Sequence, residues 1–187
     1  IDRLETDEDL WIGILCGNGP AFCAGADLKA IASGEAKLTT SRGGFAGLVR
    51  RTRTKPLIAA VEGPAVAGGT EIVLSCDLVV ASTTARFGLP EVKRSLVANA
   101  GGLFRLPRAL PLNVAMELAL TGEDLDADSA YRHGLVNRLV QPGEALVAAM
   151  QLAEAVNANA PLAVRASRKV VVAAHLLEDD AAFQMAA

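Results

Sequence analysis

Residues 61–71 contain the end of an apolar segment, a glycine-rich turn and the start of a second apolar segment. The first apolar segment, at 56–61, lies between a proline and a glycine and is typical of a buried strand. The stretch from Glu71 onward predicts a helix, so Gly68 and Gly69 lie where free N–H groups and the positive end of the helix dipole are open to a ligand. A glycine pair alone more often serves close packing. The carboxylate of Glu71 in this apolar setting favours an active-site turn that binds an oxyanion.

The composition indicates a single soluble domain. Of 187 residues, 51% are hydrophobic, which is enough to bury one sizeable core. The formal net charge of −3 and the lack of a strongly basic tract argue against nucleic-acid binding. No apolar run approaches the ~20 residues of a membrane-spanning helix, so no membrane partner is expected.

The cysteine pattern and the first residues predict an intracellular, cytoplasmic protein. Cys16, Cys23 and Cys76 are odd in number and lack CxxC spacing. We therefore expect a reducing compartment, with neither a disulfide framework nor a zinc site. Residues 1–5 lack the basic-then-apolar layout of a signal peptide.

A second strand–turn–helix junction is predicted near the start of the chain. Residues 10–15 are a strand candidate, and a turn rich in glycine leads from them into residues 22–29. Gly25 and Ala26 place small residues at the predicted helix start, where N–H groups are free, and Asp27 is placed to cap that helix. Two such junctions can each supply one N–H group to a single oxygen atom.

Residues 43–55 suit a helix that carries the basic side chains Arg50, Arg51, Arg53 and Lys55. Such a cluster can meet a phosphate, but a run of charge more often forms a solvated face. We therefore expect these side chains on the surface.

The rest of the chain adds a second carboxylate and a series of helices. Residues 85–91 contain Glu91 at a bend fixed by Pro90, and residues 99–102 begin a further helix with another glycine pair. The remaining predicted elements are strands at 76–81 and 135–140 and helices at 112–121, 126–133, 144–157 and 162–176.

The histidines and the missing motifs argue against several kinds of chemistry. His133 and His175 both lie on predicted helices, and each is expected to be a surface or cap residue. The chain has no HExxH, GxGxxG or Walker A pattern and no plausible Ser/His/Asp set. Metal-dependent hydrolysis, triad hydrolysis and nucleotide binding by those routes therefore lose support.

Residues 22–29, 63–71 and 87–91 resemble, in order and spacing, the signature segments of the enoyl-CoA hydratase/isomerase (crotonase) superfamily. The resemblance covers most of the chain and implies an α/β fold, a crotonase-like spiral of ββα units, as one domain at 1–187. Residues 1–110 would form the spiral core with the active site, and residues 111–187 a helical C-terminal region. By the same resemblance, we expect the chain to be truncated at both ends.

The resemblance also implies a reaction. Ala26 and Gly68 match the positions whose backbone N–H groups form an oxyanion hole for the thioester oxygen. Glu71 and Glu91 match the two carboxylates of hydratases, with Glu91 exchanging a proton at the α-carbon and Glu71 taking one from water. The implied activity is hydration of a 2-enoyl-CoA to a 3-hydroxyacyl-CoA. The other substrate-binding positions implied are Ala24, Asp27, Leu28, Gly69 and Asn99.

The alternatives are another crotonase-fold reaction of an acyl-CoA (isomerase, hydrolase or decarboxylase) and a catalytically weak acyl-CoA-binding or scaffold protein. The resemblance implies an acyl-CoA substrate of fatty acid or related metabolism, no metal, no cofactor beyond the coenzyme A of the substrate, and a homotrimer or dimer of trimers. Acyl-lining residues are expected at 31–53. Asn99 stands where similar hydratases carry a glycine whose N–H helps position water, and asparagine tolerates left-handed backbone better than most residues.

Overall fold

The structure, a computed structural model, describes residues 1–27, 33, 38–174 and 185. Within these residues the strands are β1 (Gly13–Cys16), β2 (Thr39–Thr40), β3 (Gly44–Phe45), β4 (Leu57–Val61), β5 (Pro64–Val66), β6 (Leu78–Ser82), β7 (Arg86–Gly88), β8 (Asp124–Asp126) and β9 (Arg138–Val140). The helices there are α1 (Asp2–Thr6), α2 (Gly68–Val73), α3 (Gly102–Ala109), α4 (Leu112–Thr121), α5 (Ala127–Arg132), α6 (Ala145–Asn157) and α7 (Pro161–Ala173), with a 3₁₀ helix at Pro90–Arg94.

A parallel four-stranded sheet in the order β1-β4-β6-β9 forms the centre of the described chain. Strand β4 is an inner strand and is buried at every position, which explains its unbroken apolar sequence. Gly63 follows it in left-handed backbone at φ 62°, and a Cβ there would lie 2.0 Å from the carbonyl oxygen of Pro20. Only glycine fits this position, so the chain turns sharply from β4 into β5.

A smaller sheet, in the order β5-β7-β8, lies beside the predicted site. Strands β5 and β7 are parallel, and β8 runs antiparallel to β7. Two successive passes of the chain each add one strand to the large sheet and one to the small sheet, first β4 and β5, then β6 and β7. Helix α2 follows the first pass, and the 3₁₀ helix and α3 follow the second. This repeat confirms the predicted α/β spiral of strand–strand–helix units.

Helix α6 packs against the large sheet through alanine side chains. Ala145 and Ala149 belong to one buried cluster with Ile58 and Val80 of the sheet. Small side chains let the helix approach the sheet closely. The Ala145 N–H donates to Glu62 Oε1 at 2.9 Å, so a carboxylate stabilises the helix N-terminus.

The predicted helix at 43–55 is wrong. This region contains β3, paired antiparallel with β2, followed by turns. Gly44, Ala46 and Gly47 have φ values of 67°, 52° and 66°, which a right-handed helix does not allow. Glycine is a poor helix former, so the glycines of this segment favour turns although the pattern of basic and apolar residues predicted a helix.

The predicted solvated basic face is also wrong for two of its residues. Arg53 is 7% exposed and Lys55 is 2% exposed. The Arg53 guanidinium donates to Asp77 Oδ2 at 3.0 Å, and Lys55 Nζ donates to the carbonyl oxygen of Asp7 at 2.6 Å. Both partners lie far from these residues in sequence, so the burial comes from tertiary contacts that the local charge pattern does not contain.

The helices from α3 onward and strand β9 agree with prediction to within a few residues, and α4 agrees at both ends. His133 is exposed at the C-terminal end of α5, as expected, and His175 lies outside the described residues. The sequence reading missed β8, which completes the small sheet. Among the described helices, none has the length and apolar character needed to cross a membrane.

Candidate active site

The glycine-rich turn leads directly into α2, all of whose residues are buried. Ala67, just before the helix, has left-handed backbone at φ 53°, a conformation that costs a non-glycine residue about 1–3 kcal/mol. Its N–H donates to the carbonyl oxygen of Gly88 at 2.9 Å, and its carbonyl oxygen accepts the Glu71 N–H at 3.2 Å. These two bonds hold the strained turn that orients the Gly68 N–H.

The structure brings the two predicted oxyanion-binding segments together. Gly25 has φ 89°, and a Cβ on it would lie 2.9 Å from the Ala67 Cβ and 3.0 Å from the Gly68 nitrogen. The backbone on either side of this contact is therefore closely packed. Within the described part of the chain, neither the Ala26 N–H nor the Gly68 N–H donates a hydrogen bond. Two free donors thus lie on adjoining segments, where a ligand oxygen can accept from them.

Glu71 lies in the first turn of α2 and is 3% exposed. Its Oε1 accepts the N–H of Gly102, the first residue of α3, at 2.9 Å. Burial raises the pKa of the Glu71 carboxyl above its ordinary value, although the N–H groups of Gly102 and Ala100 and the Arg105 charge oppose that rise. The carboxylate is therefore held in place by backbone donors in a largely dry setting.

Glu91 lies in the 3₁₀ helix, directly after Pro90. Its Oε2 is buried and has no hydrogen-bond partner among the described residues. Burial raises the pKa of the Glu91 carboxyl, and the negative charge of Glu71 raises it further. A buried carboxyl oxygen without a partner is costly unless a ligand or water meets it. The two predicted carboxylates are thus close enough to interact, and one of them has an unused oxygen.

Thr70 connects the helix that carries Glu71 with the strands that lead to the two parts of the site, and it was not predicted from the sequence. Its Oγ1 lies 2.6 Å from the carbonyl oxygen of Ala65 and 2.8 Å from that of Gly88, and it accepts the Gly88 N–H at 2.9 Å. This fully buried hydroxyl joins α2 to β5 and to β7, which leads to Glu91. The one sequence signal for this role is a polar residue between Gly69 and Glu71 in an otherwise apolar stretch.

The remaining predicted substrate-binding residues have different environments. Ala24 and Asp27 are exposed, and Leu28 lies outside the described residues. Gly69 is buried, and a Cβ on it would lie 2.0 Å from the carbonyl oxygen of Cys23. Asn99 is exposed, and its backbone is not left-handed; that conformation belongs to Gly101, at φ 113°.

An apolar cavity of about 300 Å³ opens beside Glu91. It is formed by the 3₁₀ helix, α3, α4 and the intervening segments, away from the 31–53 region where acyl-lining residues were expected. Of that region, residues 31, 32 and 34–37 lie outside the described residues. The lining residues are Leu89, Glu91, Val92, Val97, Ala98, Leu103, Leu106, Pro107, Leu112, Ala115, Met116, Ala119 and Leu120.

The cysteines Cys16, Cys23 and Cys76 are free thiols. Burial raises the pKa of the Cys76 thiol to about 12, so it stays protonated and unreactive at neutral pH. In the described ranges no group of three or more His, Cys, Asp or Glu side chains is placed to hold a metal ion.

Comparison with known proteins identifies the family of this chain. The enoyl-CoA hydratase/isomerase family model matches residues 1–186. The enoyl-CoA hydratase EchA19 of Mycobacterium tuberculosis is 42% identical over 190 residues, covering 98% of this chain and 71% of that protein. The carnitinyl-CoA dehydratase of Proteus mirabilis is 41% identical over 171 residues, covering 90% of this chain and 66% of that protein.

A solved structure shows the same relationship. The enoyl-CoA hydratase EchA1 from Mycobacterium marinum is 51% identical and superposes with a TM-score of 0.94, covering 98% of this chain and 73% of that one. The chain thus spans 66 to 73% of the length of these three relatives. From the family match, the identities and the shared fold, the chain belongs to the enoyl-CoA hydratase/isomerase family.

Proposed function

We propose that this protein is an enoyl-CoA hydratase, which adds water across the double bond of a 2-enoyl-CoA thioester to give a 3-hydroxyacyl-CoA. The observation that carries this proposal is the pair of interacting carboxylates, Glu71 and Glu91, with Glu91 Oε2 buried and unpartnered among the described residues. Family membership supports the proposal, and so do the adjoining free N–H groups of Ala26 and Gly68.

In the proposed reaction, the thioester oxygen accepts hydrogen bonds from the Ala26 and Gly68 N–H groups. Glu71 removes a proton from water while the water oxygen bonds to the β-carbon, and the double-bond electrons move toward the thioester oxygen. The two N–H groups stabilise the resulting enolate-like charge. Protonated Glu91 then gives its proton to the α-carbon. Burial raises the pKa of both carboxyls. The Glu71 charge raises the pKa of Glu91 further, which suits a proton donor, whereas backbone N–H groups and Arg105 counteract the rise for Glu71, which suits a base.

The finer features of the proposal rest on the family and on the sequence pattern. Coenzyme A enters as part of the substrate, with no separate cofactor and no metal. We infer a cytoplasmic protein that assembles as a trimer or a dimer of trimers. Large apolar side chains on the surface support self-association, since Leu162, Val171 and Val147 are exposed. The net charge of −3 supports a protein without a nucleic-acid partner.

The cavity beside Glu91 indicates which acyl groups are accepted. Its volume of about 300 Å³ is at the lower end of the range for small-molecule sites, about 300–1,000 Å³. Among the described residues that line it, Glu91 is the one charged side chain and none is aromatic. A quaternary ammonium group of the carnitinyl kind is best bound by aromatic faces. We therefore propose an apolar acyl group larger than crotonyl.

A panel of 2-enoyl-CoA esters tests this proposal through the loss of the conjugated thioester absorbance. We expect hydration of medium-length or branched apolar esters, slower hydration of crotonyl-CoA, and no reaction of the carnitinyl-type ester. Failure to hydrate any ester that binds would contradict the proposed activity. It would favour another reaction of the family or a binding role.

Within the same panel, Ala119→Phe tests the cavity. Ala119 lines the cavity and is half-buried, so a phenyl ring there fills the space for the acyl tail. We expect kcat/KM for the larger esters to fall about 10- to 100-fold, the usual range for a few methylene groups in an apolar pocket, while crotonyl-CoA changes little. The matched control is Glu117→Phe, because Glu117 is exposed on the same helix and outside the lining. Equal losses for all esters would show that the acyl tail lies elsewhere.

A further inference from the structure

Arg105 of α3 is a half-buried cation that the mechanism above does not use. Its guanidinium makes contacts in three directions. Nη2 donates to the carbonyl oxygen of Val49 at 2.6 Å, and Nη1 donates to Ser75 Oγ at 3.2 Å and to the carbonyl oxygen of Ala100 at 3.4 Å. The side chain thus joins the segment after β3, the end of α2 and the turn before α3.

Two of these three contacts lead to Glu71. Ser75 Oγ donates to the carbonyl oxygen of Glu71 at 2.7 Å, so Arg105 and the Glu71 backbone share one hydroxyl. Ala100 belongs to the turn whose Gly102 N–H donates to Glu71 Oε1. Arg105 therefore supports both the helix that carries Glu71 and the turn that holds its carboxylate.

The turn is shaped to receive the guanidinium. A Cβ on Gly101 would lie 2.2 Å from Arg105 Nη1, so no larger residue fits there while the guanidinium is in place. Gly101 also has φ 113°, which again requires glycine. Both the backbone conformation and the space beside the guanidinium therefore require glycine at position 101.

The charges around Glu71 act in opposite directions. Glu91 of the 3₁₀ helix faces it with a like charge, and Arg105 of α3 faces it with the opposite charge. Burial raises the pKa of the Glu71 carboxyl, and the Arg105 charge counteracts that rise. Arg108 and Arg53 also act on Arg105, and burial together with Arg108 lowers the pKa of the Arg105 guanidinium. A guanidinium stays charged at all working pH values.

We propose that Arg105 is a positioning residue for hydration, whose guanidinium holds the 100–102 turn and the end of α2 so that the Glu71 carboxylate is fixed and ionised next to the substrate. This inference rests on the proposed role of Glu71 as the base. It assigns no contact between Arg105 and the substrate.

Kinetic variants test both parts of the proposal. Arg105→Gln removes the charge and most of the hydrogen bonds, and we expect kcat to fall by about 30-fold or more, toward the ~10²- to 10⁴-fold contribution of a positioned general base, with KM changed by no more than about threefold. The acid limb of the pH–rate profile should move to higher pH, because Glu71 loses the cation that favours its ionised form. Arg105→Lys should keep the acid limb near its original pH but restore only part of kcat, since one ammonium cannot reach three acceptors.

Arg108→Gln is the matched control, because Arg108 lies one turn further along α3, is exposed, and stacks on Phe104 as Arg105 does. It should leave kcat and the acid limb unchanged. An Arg105→Gln enzyme with the original acid limb would overturn the proposal, because a merely structural role predicts lower stability without a pH shift. If Arg105→Gln does not fold, full kcat in Arg105→Lys would overturn it.

A carbon-13 NMR titration of the Glu71 carboxyl, identified by its loss in Glu71→Gln, gives a readout that needs no turnover. Its pKa should rise in Arg105→Gln or, where that variant does not fold, remain near the original value in Arg105→Lys. An unchanged titration in folded Arg105→Gln would contradict the proposal. If the unmodified protein hydrates no ester, the proposed function fails, and this titration still decides whether Arg105 controls the ionisation of Glu71.

Discussion

Glu91→Gln should lower turnover of a 2-enoyl-CoA by about 10²- to 10⁴-fold, the usual contribution of a positioned general acid. The amide has nearly the same shape as the carboxyl but cannot give a proton to the α-carbon. Binding of the CoA thioester should persist, because the free N–H groups of Ala26 and Gly68 are unaffected. Steady-state kinetics and binding of a non-reactive acyl-CoA measure the two effects separately. Unchanged turnover would remove Glu91 from the mechanism.

The same substitution should raise the melting temperature at neutral pH. The folded protein raises the Glu91 pKa above its unfolded value, so the charged form opposes folding. The favourable contribution of the protonated carboxyl is complete below the unfolded pKa and is lost as the pH rises through the folded pKa. Glutamine cannot ionise, so the variant does not lose this stability as the pH rises. Its melting temperature should therefore exceed that of the unmodified protein at pH 7 and match it near pH 4. Glu117→Gln, at an exposed position, should show neither effect.

Gly68→Ala should lower kcat by about 10²- to 10³-fold, the usual cost of removing one oxyanion donor. A Cβ on Gly68 would lie 2.5 Å from Phe45 Cε1 and 2.6 Å from Phe45 Cζ. Either the ring or the turn must therefore move, and a shift of the turn takes the Gly68 N–H away from the thioester oxygen. Gly68 is not among the positive-φ residues, so alanine adds no backbone strain of its own.

A double-mutant cycle separates this displacement from lost packing. Phe45→Ala alone should keep most of the activity, and adding it to Gly68→Ala should restore part of kcat because the alanine methyl then has room. A Gly68→Ala enzyme with unchanged kcat would contradict the proposed role of the Gly68 N–H.

The segment from β4 through α2 is predictable from the sequence because its signals are local. An unbroken apolar run bounded by Pro56 and Gly63 defines a buried strand, and the Gly68–Gly69 pair marks the start of a helix. The bend that carries Glu91 is likewise set by the adjacent Pro90. For these residues, nearest-neighbour chemistry agrees with the tertiary structure.

Other features depend on contacts between distant parts of the chain. The burial of Arg53 depends on Asp77, and Lys55 is buried against the carbonyl oxygen of Asp7. The support that Arg105 gives to Glu71 passes through Ser75 and the 100–102 turn, on separate helices and turns. Sequence spacing contains no signal for such pairings. The turns that carry the proposed catalytic residues were therefore predictable from local sequence, whereas the residues that support them were not.

The most direct test of the central claim is the mass of the product formed from a medium-chain 2-enoyl-CoA in ¹⁸O-labelled water. Water addition predicts a 3-hydroxyacyl-CoA heavier than the substrate by one labelled water, with the labelled oxygen on the β-carbon, and formation of this product about 10²- to 10⁴-fold slower with Glu91→Gln. A product of unchanged mass would indicate isomerisation, and free coenzyme A with a labelled acid would indicate thioester hydrolysis. Either result would contradict hydration by Glu71 and Glu91.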